Sequence, residues 1–206
     1  MDWQLIEEGD TKYFQFKWQN FIAVYSTKYG EDNFLKKFDP LFIKQVHSNI
    51  IIDVDHSDKS TGDGLITSRK NLCLGIKVAD CLPVYLFKEE KACIIHCGWR
   101  SIIKGIAKQA KALLCNYKYV FGASIDSCCY ELKQDVIELF EKEYQDAIIV
   151  RNKKYYFDLK TAVTKDLGKE NLIDSLNLCT KCHPEYFYSY RRGDNKKRNY
   201  AVIKLF

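Results

Sequence analysis

Nowhere in the 206 residues does an apolar run approach the roughly 20 residues that a helix needs to span a bilayer, so no membrane segment is expected. The N-terminus, MDWQLIEEGD, is acidic and lacks an apolar signal region, and a cytoplasmic protein is expected. Internal repeats, low-complexity stretches and linkers are absent, which points to one domain over residues 1–206 with a substantial core. The formal net charge is only +5. That suits phosphate-bearing substrates and is too little for a nucleic-acid footprint. Histidine is scarce, at four residues. Apolar residues are plentiful at 47%, with 14% aromatic, which excludes a disordered chain. The nine cysteines are an odd number with no signal peptide, so free thiols in a reducing compartment are expected rather than a disulfide framework.

The chain is organised around residues 78–100, VADCLPVYLFKEEKACIIHCGWR. Apolar and β-branched runs on either side of the polar turn Lys88-Glu89-Glu90-Lys91 read as strands. Cys81 and His96 then fall where strands give way to loops, and His47 ends another short apolar run. Two histidines and one cysteine can hold zinc in three positions and leave a fourth open, as a catalytic site requires. The same residues can instead form a cysteine nucleophile with a histidine beside it. They are equally compatible with a small buried thiol and ordinary hydrogen-bonded imidazoles, because their separations match no compact zinc signature.

Several short motifs resemble the laccase-domain family (YfiH-like, also called polyphenol oxidase or multicopper oxidase laccase-like proteins). They are KQVHS at 44–48, GDGLIT at 62–67, VADCLPV at 78–84 and IIHCGWRS at 94–101. SCCYEL at 127–132, FDL at 157–159, CT at 179–180 and SYRR at 189–192 follow in the family's order. The resemblance implies a zinc site of His47, Cys81 and His96, with Asp63 near the metal. It implies phosphorolysis of adenosine, inosine, guanosine or methylthioadenosine, and deamination of adenosine, in the cytoplasm. Copper and phenol oxidation are less expected, because four histidines are too few for a blue-copper site plus a trinuclear cluster. Some relatives are linked to editing of peptidoglycan precursors, which keeps a Cys81–His96 hydrolase or amidase as an alternative, alongside a copper-dependent polyphenol oxidase and a non-enzymatic binding protein. The family usually has a longer Gly-rich N-terminal segment followed by Asn-Leu, compressed here to AVYSTKYGEDNF at 23–34.

The local readings follow from pattern. Residues 12–18 and 21–27 form a hairpin about Gln19-Asn20, and 32–39 a short helical turn. Residues 41–46 and 50–54 form a strand pair that bends at His47. His56 lies in a polar loop and reads as solvent-exposed. Asp63, between two glycines, is either a partner orienting a ligand histidine or a turn residue, and Asp80 has the same two readings. A helix capped by Ser101 runs to Leu114, and its start would meet an anion beside His96. Arg100 would add a phosphate-binding fork, or else pair with Asp63 or Asp80. A second helix covers 133–144; a hairpin turns at 151–153; Asp158 caps a helix over 159–167 that Gly168 ends. Residues 119–126 and 172–178 read as strands. One of Arg191 and Arg192 folds back to bind phosphate or ribose, the two pointing to opposite faces of a strand.

Cys179-Thr180-Lys181-Cys182-His183 has the form of a haem attachment site, but haem attachment needs an exported chain. No second C-x-x-C pair completes a four-cysteine site, so Cys182 and His183 read as incidental and Cys128-Cys129 as small buried residues in a tight loop near the site. Hairpins with intervening helices predict an α+β fold, with mixed or antiparallel sheets and flanking helices. The expected catalytic groups are Cys81, Asp63 and Arg100; the expected phosphate or substrate contacts are Arg100, Arg191 and Arg192. The expected ligands are a small nucleoside and phosphate, without nucleic acid or membrane.

Overall fold

The computed structural model describes residues 2–206. The strands are β1 (Gln4–Glu8), β2 (Thr11–Trp18), β3 (Phe21–Ser26), β4 (Leu41–Phe42), β5 (Ile51–Asp53), β6 (Gly64–Thr67), β7 (Cys73–Val78) and β8 (Leu82–Lys88). They continue with β9 (Lys91–Cys97), β10 (Lys118–Phe121), β11 (Glu131–Leu132), β12 (Ile148–Arg151), β13 (Lys154–Phe157), β14 (Leu172–Ser175) and β15 (Asn199–Leu205). The α-helices are α1 (Glu31–Phe38), α2 (Trp99–Ile103), α3 (Ile106–Leu113), α4 (Gln134–Ile137) and α5 (Leu159–Leu167).

Two six-stranded sheets and one of three strands result, ordered β1-β2-β3-β15-β7-β4, β14-β10-β8-β9-β6-β5 and β11-β13-β12. Most pairs are antiparallel, but β4 with β7, β5 with β6, and β10 with β14 run parallel. The architecture is α+β with mixed sheets. The large sheets pack face to face over Phe16, Tyr25, Leu74, Ile76 and Ile203 from one and Leu65, Tyr85, Phe87 and Ile94 from the other. The second sheet's outer face, with Val84, Leu86, Cys93 and Ile95, is covered by Ile102, Ile106 and Ala110 and by Ala162 and Val163 of α5. Phe34 and Phe38 of α1 cover the first sheet's outer face at Tyr13, Val24 and Val202. β8 and β9 are therefore buried on both faces, which explains their nearly continuous apolar sequences.

The β2–β3 hairpin closes Trp18 on Phe21 across Gln19-Asn20, and β12–β13 closes Arg151 on Lys154. Asp158 caps α5, its carboxylate accepting the Thr161 N–H at 3.0 Å. Three readings require correction. Residues 41–46 and 50–54 do not pair with each other: β4 joins β7 in the first sheet and β5 joins β6 in the second, so the segment with His47 crosses between sheets. The helix expected from Ser101 starts at Trp99 behind Gly98 and breaks at Gly105, whose φ of +80° is cheap only for glycine. Of residues 133–144 only α4 is α-helical. Beyond it the bonds tighten to the third residue back, as from Phe140 N–H to the Ile137 carbonyl, while Phe140 packs on Phe157 and Leu139 is left exposed.

Candidate metal centre and cleft

The β8–β9 register sets the site. Leu82 pairs with Cys97 and Pro83 with His96, so Cys81, one residue before β8, lies beside the end of β9. The crossing segment brings in His47, held in the left-handed region at φ +56°. The ligand atoms of His47, Cys81 and His96 all lie within 4.8 Å of one another. Gly98 makes room for them: a Cβ there would stand 2.9 Å from Cys81 Sγ and 3.0 Å from His47 Cδ2.

Asp63 organises the two histidines. It is fully buried, and its Oδ1 lies 2.8 Å from His96 Nδ1. It also accepts the backbone N–H groups of Val46, His47 and Ser48 at 3.1, 3.0 and 2.6 Å, and the Ser48 hydroxyl at 2.8 Å. One carboxylate thus fixes the His96 ring and the backbone that carries His47. The Nδ1 proton of His96 is engaged, which leaves Nε2 for the centre. Burial raises the Asp63 acid, but the bonds from His96 and Ser48 outweigh it and hold the carboxyl well below its usual range. Burial likewise pushes the Cys81 thiol up; the neighbouring His96 charge and bonds from His47 and His96 bring it down to about 6. Burial opposes charge on His96, yet the Cys81 thiolate and Asp63 raise it to about 9. Without a metal, these opposite shifts favour a thiolate on half-buried Cys81 beside an imidazolium on buried His96.

The donor set fits one ion. Zinc bonded at ~2.0 Å to nitrogen and ~2.3 Å to sulfur holds tetrahedral ligands roughly 3.3–3.8 Å apart. An ion held by these three residues would keep a fourth position free, and His47, Cys81 and His96 all line a cleft of about 660 Å³. Its walls carry Trp99, Tyr130 and Tyr190, with the cations Lys77, Arg100, Arg191 and Arg198. Arg100 lies over the Trp99 ring at 4.2 Å and is paired with neither Asp63 nor Asp80. α2 is only five residues long, too short to make its N-terminus an anion site by itself, and the cations at the cleft are side chains.

Asp80, at φ +87°, ties the wall together. Its carboxylate accepts the Thr180 hydroxyl at 2.7 Å and the Arg191 N–H at 2.7 Å, and its carbonyl accepts the Ile125 N–H at 2.9 Å. Arg191 lines the cleft, its guanidinium over Tyr130 and bonded to the Glu131 carbonyl at 2.8 Å. Arg192 points away, to the Thr180, Lys181 and Phe187 carbonyls and to Asp194. The pair sits on a 3₁₀ turn at Tyr190–Arg192 and not on a strand, so the turn rather than strand alternation separates them. Asp63 lies beneath the histidines and does not line the cleft. His56 is exposed and bonded to Asp53, and His183 is bonded to Glu185; neither joins the centre. Arg198 belongs to the dense basic cluster that includes Arg191 and Arg192, whereas Lys77 and Tyr130 carry no local pattern and reach the cleft from distant parts of the chain.

An α+β fold with a closely set His–Cys–His group under a cationic cleft gives the chain a candidate metal site beside a pocket of small-molecule size. The chain belongs to the family described as multi-copper polyphenol oxidoreductase laccase, whose profile matches residues 32–205. It is 34% identical to a purine nucleoside phosphorylase from Clostridium acetobutylicum, over 86% of this chain and 84% of that one. It is 28% identical to an adenosine deaminase of an unknown prokaryotic organism, over 74% of this chain and 66% of that one. Among solved structures, the Bacillus licheniformis hypothetical protein YfiH shares the fold, with TM-score 0.83 and 22% identity over 98% of this chain and 99% of that one.

Proposed function

We propose that this chain is a zinc-dependent purine nucleoside enzyme that carries out phosphorolysis of adenosine, inosine, guanosine or methylthioadenosine and deamination of adenosine. The observation that carries it is the three-ligand set of His47, Cys81 and His96 opening on a cleft with four cationic side chains. The names of the relatives favour the same chemistry. The cleft volume suits a nucleoside with a phosphate. Held by His47, Cys81 and His96, zinc would supply the Lewis acidity that makes hydroxide available near neutral pH; in deamination a C6–O bond forms on the purine as its C6–N bond breaks and ammonia leaves. Cys81 would bind the ion as thiolate, and Asp63 positions the His96 imidazole and the backbone that carries His47. Trp99 and Tyr130 line the cleft and back the Arg100 and Arg191 guanidinium groups that lie over their rings. Arg100 and Arg191 hold phosphate beside the ribose C1′, where a phosphate oxygen forms the new bond as the C1′–N9 bond breaks. Cytoplasmic work on free nucleosides fits this reading, and among the described residues no helix is long and apolar enough to cross a membrane.

A second reading is a metal-free hydrolase or amidase with Cys81 as nucleophile and His96 as its acid–base partner, favoured by the thiolate–imidazolium pair. Base release and ammonia release from adenosine, with and without phosphate, separate the two in native, zinc-stripped and Cys81→Ala protein. The zinc reading expects phosphate-dependent base release that falls at least ~100-fold on stripping and returns with zinc. Turnover undiminished by stripping and abolished by thiol alkylation would overturn it.

A further inference from the structure

Two segments that the chemistry above does not use meet on one side of the molecule. Cys128 and Cys129 lie in the tight turn after β10, and Cys179 and Cys182 in the turn after β14. Their four sulfur atoms all lie within 4.8 Å of one another. Cys182 Sγ is 3.7 Å from Cys128 Sγ and 3.4 Å from Cys129 Sγ. A tetrahedral zinc with bonds of ~2.3 Å places its sulfurs ~3.8 Å apart, so the cluster already has nearly the dimensions of a tetrathiolate cage. Against the expectation of buried small residues, Cys128 is exposed and Cys129 half-buried, and this adjacent pair completes the set in place of a second C-x-x-C. The Asp126–Glu131 turn turns both thiols to one side: Cys129 and Tyr130 each donate N–H to the Asp126 carbonyl, and Glu131 to that of Cys129.

We propose that Cys128, Cys129, Cys179 and Cys182 bind a second, structural zinc ion. The surroundings suit the product. Binding releases the four thiol protons and leaves a unit of net charge −2. The backbone N–H of Asp126 donates to Cys179 Sγ at 3.4 Å. Arg151 holds the Ser127 carbonyl, Lys160 pairs with Asp126 at 3.0 Å, and Arg192 holds the Thr180 and Lys181 carbonyls, so three cations flank the cage. All four cysteines are free thiols, one ion can use all of them, and a site closed by four thiolates is structural. The ion would clamp the Tyr130 turn to the Thr180 turn, and these carry the cleft wall at Tyr130 and the Asp80 contact of Thr180.

Metal content by mass spectrometry on protein purified in reducing, chelator-free buffer tests this with two independent variants. The native chain is expected to hold two zinc ions, and Cys81→Ala, which leaves the cage untouched, one. Cys182→Ser is expected to hold one, and its cobalt-substituted form loses the larger share of sulfur-to-cobalt charge-transfer absorbance. One zinc in the native chain and none in Cys81→Ala overturns the cage and leaves the first site standing. Iron or copper as the second ion, or a Cys129–Cys182 disulfide in freshly reduced-purified protein, overturns it as well. The reverse pattern, with one zinc in both the native chain and Cys81→Ala and none in Cys182→Ser, supports the cage and removes zinc from the cleft.

Discussion

At the scale of single residues, Asp63 bears the most consequence. It is buried and accepts from His96, Ser48 and the backbone of residues 46–48. Asp63→Asn replaces an acceptor oxygen with a donor facing N–H groups. The expected cost is about 3 kcal/mol in urea unfolding, with a fall in zinc affinity of about 10- to 100-fold. The sign with pH follows from its depressed acidity. The stabilisation is complete above the unfolded carboxyl value and is lost as pH falls through the lower folded value. Native protein should therefore lose this contribution only in strong acid, and Asp63→Asn should lack that component; equal acid profiles would refute the assignment. Cys81 gives a second test. In zinc-stripped protein its alkylation by iodoacetamide should titrate near about 6, against an ordinary thiol near 9, and zinc should protect it. Alkylation that rises only at an ordinary thiol value would discard the pair.

Among elements, what was legible depended on how local the cause was. The β2–β3 hairpin and the Asp158-capped helix are written in contiguous residues, as alternation, turn and cap. Asp158→Ala should cost about 1 kcal/mol in chemical denaturation without altering metal content, since it removes only the Thr161 bond. The 133–144 segment shows the opposite case. Its apolar spacing suits a helix, but Phe140 and Tyr144 gain more by packing on Phe157 and by the Tyr144 bond to Asp166 than the extra helical turns would return. The segment through His47 failed for a different reason. Its two strands are too short to show whether they pair with each other or with β7 and β6, and only the assembled sheets decide. The cysteine cage was illegible because its halves lie on separate turns, and neither half alone has a metal-binding spacing.

For the molecule as a whole, binding to the folded state alone raises stability by mass action. Free zinc at about 1,000 times its dissociation constant contributes about 4 kcal/mol per ion. In a chain of this length that corresponds to roughly 10 °C in Tm. Stripping should lower Tm by that order, and if two ions bind, Cys81→Ala should keep part of the response to chelator. A thermal transition indifferent to chelator in all forms would show that no ion is coupled to folding.

The β8–β9 hairpin has one further consequence, for how the centre is made and changed. Cys81 and His96 are brought together by a single local hairpin, whereas His47 arrives by a crossing between sheets. During synthesis, two of the three ligands can meet as soon as the hairpin closes, before β15 exists to complete the first sheet. The exposed turn at Lys88–Lys91 can then lengthen or shorten over time at little cost. Inside β9 the same change is forbidden, because one residue lost between Lys91 and His96 turns the imidazole to the opposite face of the sheet.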